Sequence, residues 1–454
     1  MKSPRFAAVL VLLSQFTLHH AQAEDVADGS KAVTWADSHP ELLEIFGRPF
    51  TPEGIAHRKK NFLPWPPLGK FPTKMLAVQP TVVKGEGDLL VANTHGWVVR
   101  STNGGRSWEG GGKPPLVRQA PDGFTHMMTS LDGIGLTTNG SILVHSAVQY
   151  NDGRKYEGFS DPSYHCDVYV LRSTDGGKTW NTPVRLNAAP TENAGANRTR
   201  FFNLPNGHIA LAMPVWYQTA SGEAMSKEQM FEAMYFFSSA DDGMTWQRSK
   251  HPICRYGLEP DLLVLPSGRI LAAVRYQRHK LPSDPADLVS PHLMRSDQPP
   301  YTKSKTVGLG LAARLTAVLW SDDGGKTWTE PRLVTGFDEQ TGSLVRLSDG
   351  TVILVFGHKT DGLGQRFMLS YDEGETWTRR VFQLHNAGQY ASSVVLDDET
   401  IATIIHSPYD GGTHMLTTLM WRAPSKEEAS AAGFWTPRVA EPLGVPVAKA
   451  AAGQ

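Results

Sequence analysis

Apolar residues in this chain fall in short runs separated by turn formers. They do not form helical stripes. Leu262-Leu263-Val264-Leu265 leads through Pro266-Ser267-Gly268 to Ile270-Leu271. Leu344-Val345, Ser348-Asp349-Gly350 and Val352-Ile353-Leu354 follow the same plan. Runs of this length bounded by Gly, Pro, Ser and Asp predict strands, and two runs joined by a glycine turn predict a hairpin. Six such hairpins can be read, with turns near Gly87, Gly140, Gly207, Gly268, Gly350 and Glu399. A short helix is expected near Pro40–Phe46.

A second pattern alternates with the hairpins. The octapeptide S-x-[DN]-x-G-x-[ST]-W occurs five times, from Ser101 to Trp108, Ser173 to Trp180, Ser239 to Trp246, Ser321 to Trp328 and Ser370 to Trp377. Each copy reads as a turn. Asp or Asn accepts bonds from nearby backbone N–H groups, Gly takes the positive-φ position, and Trp pins the returning strand to the core. Each of the first five hairpins is followed by a third strand that ends at an octapeptide. The sixth ends instead at Met420-Trp421. Hairpin, third strand, turn and fourth strand make a four-stranded antiparallel blade. The pattern therefore predicts an all-β chain folded as a six-bladed propeller.

Connectivity orders the two ends of such a ring. With strands lettered A to D within a blade, the start of A, the end of B and the B–C loops share one end. The A–B turns and the octapeptides share the other. The long insertions, roughly 149–166, 217–232 and 276–312, are all B–C loops, so the elaborated end is the one where A begins. The sixth blade lacks its octapeptide and needs a fourth strand from elsewhere. Residues 24–75 or the segment around Phe434–Pro437 can supply it, and the pattern does not choose between them.

Composition narrows the classes. The 454 residues carry 44 Lys+Arg against 45 Asp+Glu, a net charge of −1. That balance argues against a nucleic-acid or membrane-surface binder acting through net charge. No apolar run reaches the roughly 18 residues of a membrane span. Two cysteines exclude a disulfide scaffold; oxidising conditions outside the cell would allow Cys166 and Cys254 to pair, and two buried free thiols are the favoured expectation. Lys2 and Arg5, the apolar run Phe6–Leu13 and Ala21-Gln22-Ala23 read as a signal peptide over residues 1–23, giving a secreted or periplasmic chain that begins near Glu24. Residues 24–75 then form an N-terminal segment, 76–437 the propeller and 438–454 a flexible tail. Oligomeric state is not legible.

Five octapeptides on six blades resemble the Asp-box propeller of the sialidase (neuraminidase) superfamily over roughly residues 76–421. The resemblance implies a glycoside hydrolase that removes sialic acid or a related acidic sugar from glycans without a cofactor or metal. It also implies site residues. Glu259 and Arg275, sixteen residues apart in Glu259-Pro260-Asp261…Val274-Arg275, match the family's glutamate and second arginine. Arg366 matches the third arginine, just ahead of a late octapeptide. Tyr390, in Gly388-Gln389-Tyr390-Ala391-Ser392-Ser393, matches the nucleophile. Tyr390 would attack, Glu259 would activate it, and Arg275 and Arg366 would hold the substrate carboxylate. A neutral phenol suits this reaction because a carboxylate nucleophile would be repelled by the sugar's own carboxylate.

Blade one departs from the family pattern. Val78-Gln79-Pro80 stands where the first arginine is expected, and Asn93-Thr94 where the acid/base aspartate is expected. His95, Asp132 and Arg200 are the nearest substitutes by position, and each also reads as a turn or surface residue. His95, His145, His358 and His406 sit near the ends of B strands, and lining of the central cleft is expected of them in preference to metal binding. The departures keep two other readings open: an enzyme acting on another acidic glycan such as a uronate, and a non-catalytic carbohydrate- or protein-binding propeller. The enzymatic reading requires Glu259, Arg275, Arg366 and Tyr390 to converge at one mouth of the channel, with the Glu259 carboxylate within hydrogen-bond reach of the Tyr390 hydroxyl.

Overall fold

A computed structural model describes residues 40–47, 62–118, 120–153, 165–187, 193–194, 198–216, 233–279, 311–336, 338–358, 364–388, 390–408 and 414–440, with isolated positions between 53 and 60. The signal peptide expected at 1–23, most of the expected tail and the central parts of the three long B–C loops lie outside the described residues.

Six antiparallel sheets form the ring that the hairpin pattern predicts. Blade one pairs Thr81–Lys84, Leu90–Thr94, Trp97–Ser101 and Glu109–Gly110 in order. Blade four pairs Gly257–Val264, Ile270–His279, Leu311–Ser321 and Arg332–Leu333. Blade five pairs Glu339–Arg346, Val352–His358, Gly364–Ser370 and Val381–His385. The A–B turns are tight because Gly87, Gly140, Gly207, Gly268, Gly350 and Glu399 all have positive φ. Apolar clusters lie between successive sheets. One of them stacks Ala272 and Val274 of blade four against Leu344 and Leu354 of blade five.

Blade six draws its outer strand from the N-terminal side. Ala391–Val395, Ile401–Pro408 and His414–Trp421 are completed by Gly69–Leu76, antiparallel to the third strand with Gly69 opposite Met420. The C-terminal segment goes elsewhere. Phe434–Trp435 pairs with Trp377–Thr378, and Arg438–Val439 adds to the outer edge of blade four. Phe62–Pro64 runs parallel to the last strand of blade five.

The octapeptides behave as turns with an internal hydrogen-bond cage. In the second copy Ser173 Oγ donates to Asp175 at 2.8 Å and accepts from Gly177 N at 2.8 Å. Thr179 N and Oγ1 donate to the same carboxylate at 2.9 and 2.6 Å. The Trp180 indole donates to the Gly177 carbonyl at 3.2 Å, and Trp246, Trp328 and Trp377 repeat that bond. These donors favour the ionised carboxylate and hold Asp175 below the ordinary carboxylate range. In the first copy the Trp108 indole reaches Thr418 of blade six at 2.9 Å, so a blade-one turn ties directly to its neighbour.

An ion pair ties the blades together at the axis. Arg200, just ahead of strand A in blade three, makes a bidentate contact with Asp261 of blade four, Nε to Oδ1 at 2.7 Å and Nη2 to Oδ2 at 2.6 Å. The same guanidinium donates to the carbonyls of Leu344 in blade five and Ser393 in blade six at 3.0 and 2.7 Å. Asp261 Oδ2 also accepts from Leu344 N at 2.7 Å. Arg200, a candidate replacement for the missing blade-one arginine, is thus a structural cation shared by four blades. Breaking a buried pair from one side strands the other charge. Asp261→Asn is expected to lower the unfolding free energy by about 3–5 kcal/mol in guanidinium titrations. Asp397→Asn, at the exposed pair with Lys84, is expected to cost less than about 1 kcal/mol.

Candidate active site

Strand A does not run regularly at the end where the blades begin. In blades two, four and five it carries a bulge of the same form, between Asp132 and Gly135, Leu258 and Asp261, and Gln340 and Ser343. The first bulged residue is left-handed in each: Gly133 at φ 63°, Glu259 at φ 44° and Thr341 at φ 66°. A bulge re-aims the side chain it carries. Here it brings Glu259 against its neighbours from blades five and six.

Glu259 is buried, and three side chains donate to it. Arg275 Nη1 reaches Oε1 at 2.9 Å, the Tyr390 hydroxyl reaches the same oxygen at 3.2 Å, and Thr341 Oγ1 reaches Oε2 at 2.8 Å. Arg275 pairs with Leu258 across the hairpin, which sets its side chain beside the bulge, and Gln277 Oε1 accepts from its Nε and Nη2 at 3.0 and 2.6 Å. Burial opposes the Arg275 charge, but Glu259, Tyr390 and Asp338 together hold its pKa above the ordinary value. Tyr390 stands just ahead of strand A in blade six and is partly exposed. Burial and then the Glu259 charge push its phenol well above the ordinary 10.0, against the opposing charges of Arg275 and Arg198. The phenol is therefore neutral at physiological pH and hydrogen-bonded to the Glu259 carboxylate.

Arg366 is placed differently. Its Nη1 is ion-paired with Glu339, its Nε donates to Gln383 at 2.9 Å, and its guanidinium lies 4.2 Å from the Phe62 ring centroid. Its side chain is 4% exposed, against 14% for Arg275. Glu339 is two residues ahead of Thr341, so the Arg366 and Glu259 clusters share strand A of blade five. The adjacent Asp338 pairs with Arg314 in the same way.

Arg198 of blade three completes the charge pattern. It is 4% exposed, and one of its Nη groups donates to the carbonyl of Ala391, the residue after Tyr390. Its Nε has no hydrogen-bond partner among the described residues. Burial lowers its pKa to about 10, and the charges of Asp261 and Glu259 resist the fall.

Blade one holds no carboxylic acid at the expected place. The Thr94 hydroxyl donates to the Leu76 carbonyl at 2.7 Å, and the Asn93 amide oxygen accepts from Gly96 N at 3.3 Å. His95 and Gly96 form a two-residue hairpin turn with positive φ at both, and His95 is exposed. Asp132 accepts from Ser130 at 2.7 Å. His145, expected to line the cleft, is fully buried and faces Phe201 at 6.1 Å between ring centroids. His358 contacts Gln383 at 3.2 Å, and His406 packs 5.6 Å from the Tyr390 ring. No group of His, Cys, Asp or Glu with metal-binding geometry occurs among the described residues. Cys166 and Cys254 are buried free thiols, and burial pushes Cys254 up to about 12.

A cavity of about 360 Å³ opens at the other end of the axis, between Lys84, Phe202, Val264, Arg346 and Val395 at the far ends of the A strands. Arg200 lines it too, so the axial clasp lies between that cavity and the Glu259 cluster. The titratable cluster, and not this cavity, marks the candidate site.

A family model described as a BNR repeat-like domain matches residues 155–287, which span blades two to four. A protein of unknown function from Dyadobacter fermentans matches with a TM-score of 0.53 at 19% identity, over 78% of this chain and 98% of its own. A Hadza microbial sialidase matches with a TM-score of 0.52 at 17% identity, over 76% of this chain and 66% of its own. The fold is that of a sialidase-like BNR-repeat propeller. No curated protein matches the chain.

Within this propeller, Glu259, Arg275 and Tyr390 meet. Arg366 stands with Glu339. Thr341, Gln277, Glu339, Gln383 and Arg198 were not singled out from the sequence, because their roles depend on which blades adjoin.

Tyr390 also has a linkage consequence. Its folded pKa is raised, so the stability it contributes is complete below pH about 10 and is lost as pH rises toward the folded value. Tyr390→Phe is expected to remove part of the alkaline loss of stability, with Cys254, Tyr150, Tyr169 and Tyr371, also raised by burial, contributing other parts. Denaturant midpoints measured from pH 8 to 11 check this.

Proposed function

We propose that the chain is a glycoside hydrolase acting on a sugar that carries a carboxylate, sialic acid first among them. Tyr390 is the nucleophile and Glu259 its base. The observation that carries this reading is the hydrogen bond from the Tyr390 phenol to a buried carboxylate held by Arg275. Glu259 takes the phenol proton as Tyr390 Oη bonds to the anomeric carbon and the glycosidic oxygen departs. The glycosidic oxygen leaves as an anion; water then bonds to the same carbon as the Tyr390 C–O bond breaks, Glu259 returns its proton to the phenolate oxygen, and the proton shed by the water neutralises the departed anion through solvent. Arg275 is the partly exposed cation that a substrate carboxylate meets, and a guanidinium offers it a paired, charge-assisted contact. Arg366 takes part only by sharing its guanidinium with Glu339. The export reading of residues 1–23 belongs to the same proposal, since it delivers the enzyme to extracellular or periplasmic glycans.

The blade-one positions favour a second reading, an enzyme for another acidic sugar such as a uronate. They also set the leaving-group chemistry. Where no carboxylic acid protonates the departing oxygen, turnover depends on how well that oxygen carries negative charge. Aryl sialosides are therefore expected to react at least about a hundredfold faster than alkyl sialosides in kcat/KM. Phenol release from an aryl sialoside, abolished in Tyr390→Phe and Glu259→Gln, is the expected result. Binding of free sialic acid without release would indicate a non-catalytic glycan-binding propeller. Neither release nor binding would overturn the sialic-acid assignment, and aryl uronides would then be the next substrates to assay.

A further inference from the structure

We infer that Thr341 is a positioning residue that fixes the Glu259 carboxylate, an inference that rests on the reading of Glu259 as the base. Thr341 is β-branched and left-handed at φ 66°, a conformation that a branched Cβ makes costly. The fold itself does not call for threonine there. The matching bulge of blade two has Gly133 at φ 63°, where a Cβ would come within 2.5 Å of His145 and 2.7 Å of the Thr199 carbonyl, whereas the bulge of blade five has room for the branched side chain of Thr341. The glycine next door, Gly342, serves another purpose: a Cβ on it would come within 2.8 Å of Leu354 and 2.9 Å of Ala273.

The two strained, non-glycine bulges are the ones whose side chains bond to each other. Thr341 Oγ1 donates to Glu259 Oε2 at 2.8 Å, and both residues are buried. Arg275 and Tyr390 occupy the other oxygen, Oε1. Thr341 therefore fixes the rotation of the carboxylate about its last torsion and leaves Oε1 aimed at the phenol. Strain kept at the two residues whose buried side chains bond to each other points to function.

A donor to the ionised carboxylate also favours ionisation, so Thr341 keeps Glu259 a base to lower pH. The titratable groups facing Glu259 among the described residues include Arg275 from its own hairpin, the neutral phenol of Tyr390 from blade six and Arg198 from blade three. Asp261 acts on Arg198, and Asp338 acts on Arg275. Each of these stays in place when the hydroxyl alone is removed.

Three variants separate the effects. Thr341→Val keeps the shape and the strain and loses the hydroxyl. Thr341→Ser keeps the hydroxyl. Thr341→Gly loses both the hydroxyl and the strain. Side-chain carboxyl titration by NMR of glutamate-labelled full chain, assigned with Glu259→Gln, reads Glu259 without any substrate. The expected result is an upward shift of the Glu259 titration in Thr341→Val and Thr341→Gly, with parent behaviour in Thr341→Ser. On an aryl sialoside the acid limb of kcat/KM moves up in the same two variants, and the plateau falls about tenfold or more. Thr341→Gly melts no lower than the parent, so its defect is not one of folding. An unshifted Glu259 titration in both Thr341→Val and Thr341→Gly overturns the inference. A parent protein that releases no phenol sinks the hydrolase reading but leaves the titration to decide the role of Thr341.

Discussion

Arg200 and Asp261 hold the ring at its axis, and the position of every site residue depends on them. Strands that begin at a common axis present backbone groups that no blade can satisfy alone. The Arg200 guanidinium takes up carbonyls from blades five and six, while the Asp261 carboxylate accepts an amide from blade five. Desolvating two charges is costly, and this geometry offsets the cost with a bidentate pair and further hydrogen bonds. Asp261 lies two residues beyond Glu259, and Ser393 three beyond Tyr390. The clasp thus sets the distance between blades four and six just below the place where the phenol meets the carboxylate.

Around that clasp, charge is matched locally, and the chain's balanced net charge conceals this. Asp338 and Glu339, adjacent on one strand, each hold an arginine from blade four or five. Glu259 holds Arg275. Arg198 is different: its recorded partner is a carbonyl, and its Nε has none among the described residues. Counting each of these groups as ionised, the cluster carries an excess of positive charge beside Tyr390. That excess opposes, without cancelling, the upward push of burial and of Glu259 on the phenol.

The fold was legible because its signals are local. Each octapeptide closes its Ser-to-Asp or Ser-to-Asn hydrogen bonds within eight residues, four of the five also close the indole bond there, and each A–B turn has one positive-φ residue. Glu259, Arg275 and Tyr390 were legible through their resemblance to a known motif. What escaped was set by neighbouring blades. Glu339 gives no sign in sequence that it will meet Arg366, twenty-seven residues on. The left-handed residue at 341 looks like an ordinary threonine before a glycine. The outer strand of blade six was legible only as one of two candidate segments. Gly69–Leu76 alternates partly exposed and exposed positions and contains Pro72, the weak pattern of an edge strand.

That edge strand links the two ends of the chain's history. Gly69–Leu76 is among the first propeller segments to be made, and its partner His414–Trp421 is among the last. The ring therefore closes only after nearly the whole domain exists, at the entropic cost of a loop of more than three hundred residues, and such long-range pairing is slow. Until then blade six, with Tyr390 at its mouth, has an unpaired outer edge. Tyr390 reaches Glu259 from a blade that is itself sealed last, so the pairing of phenol with carboxylate and the completion of the fold arrive in the same step.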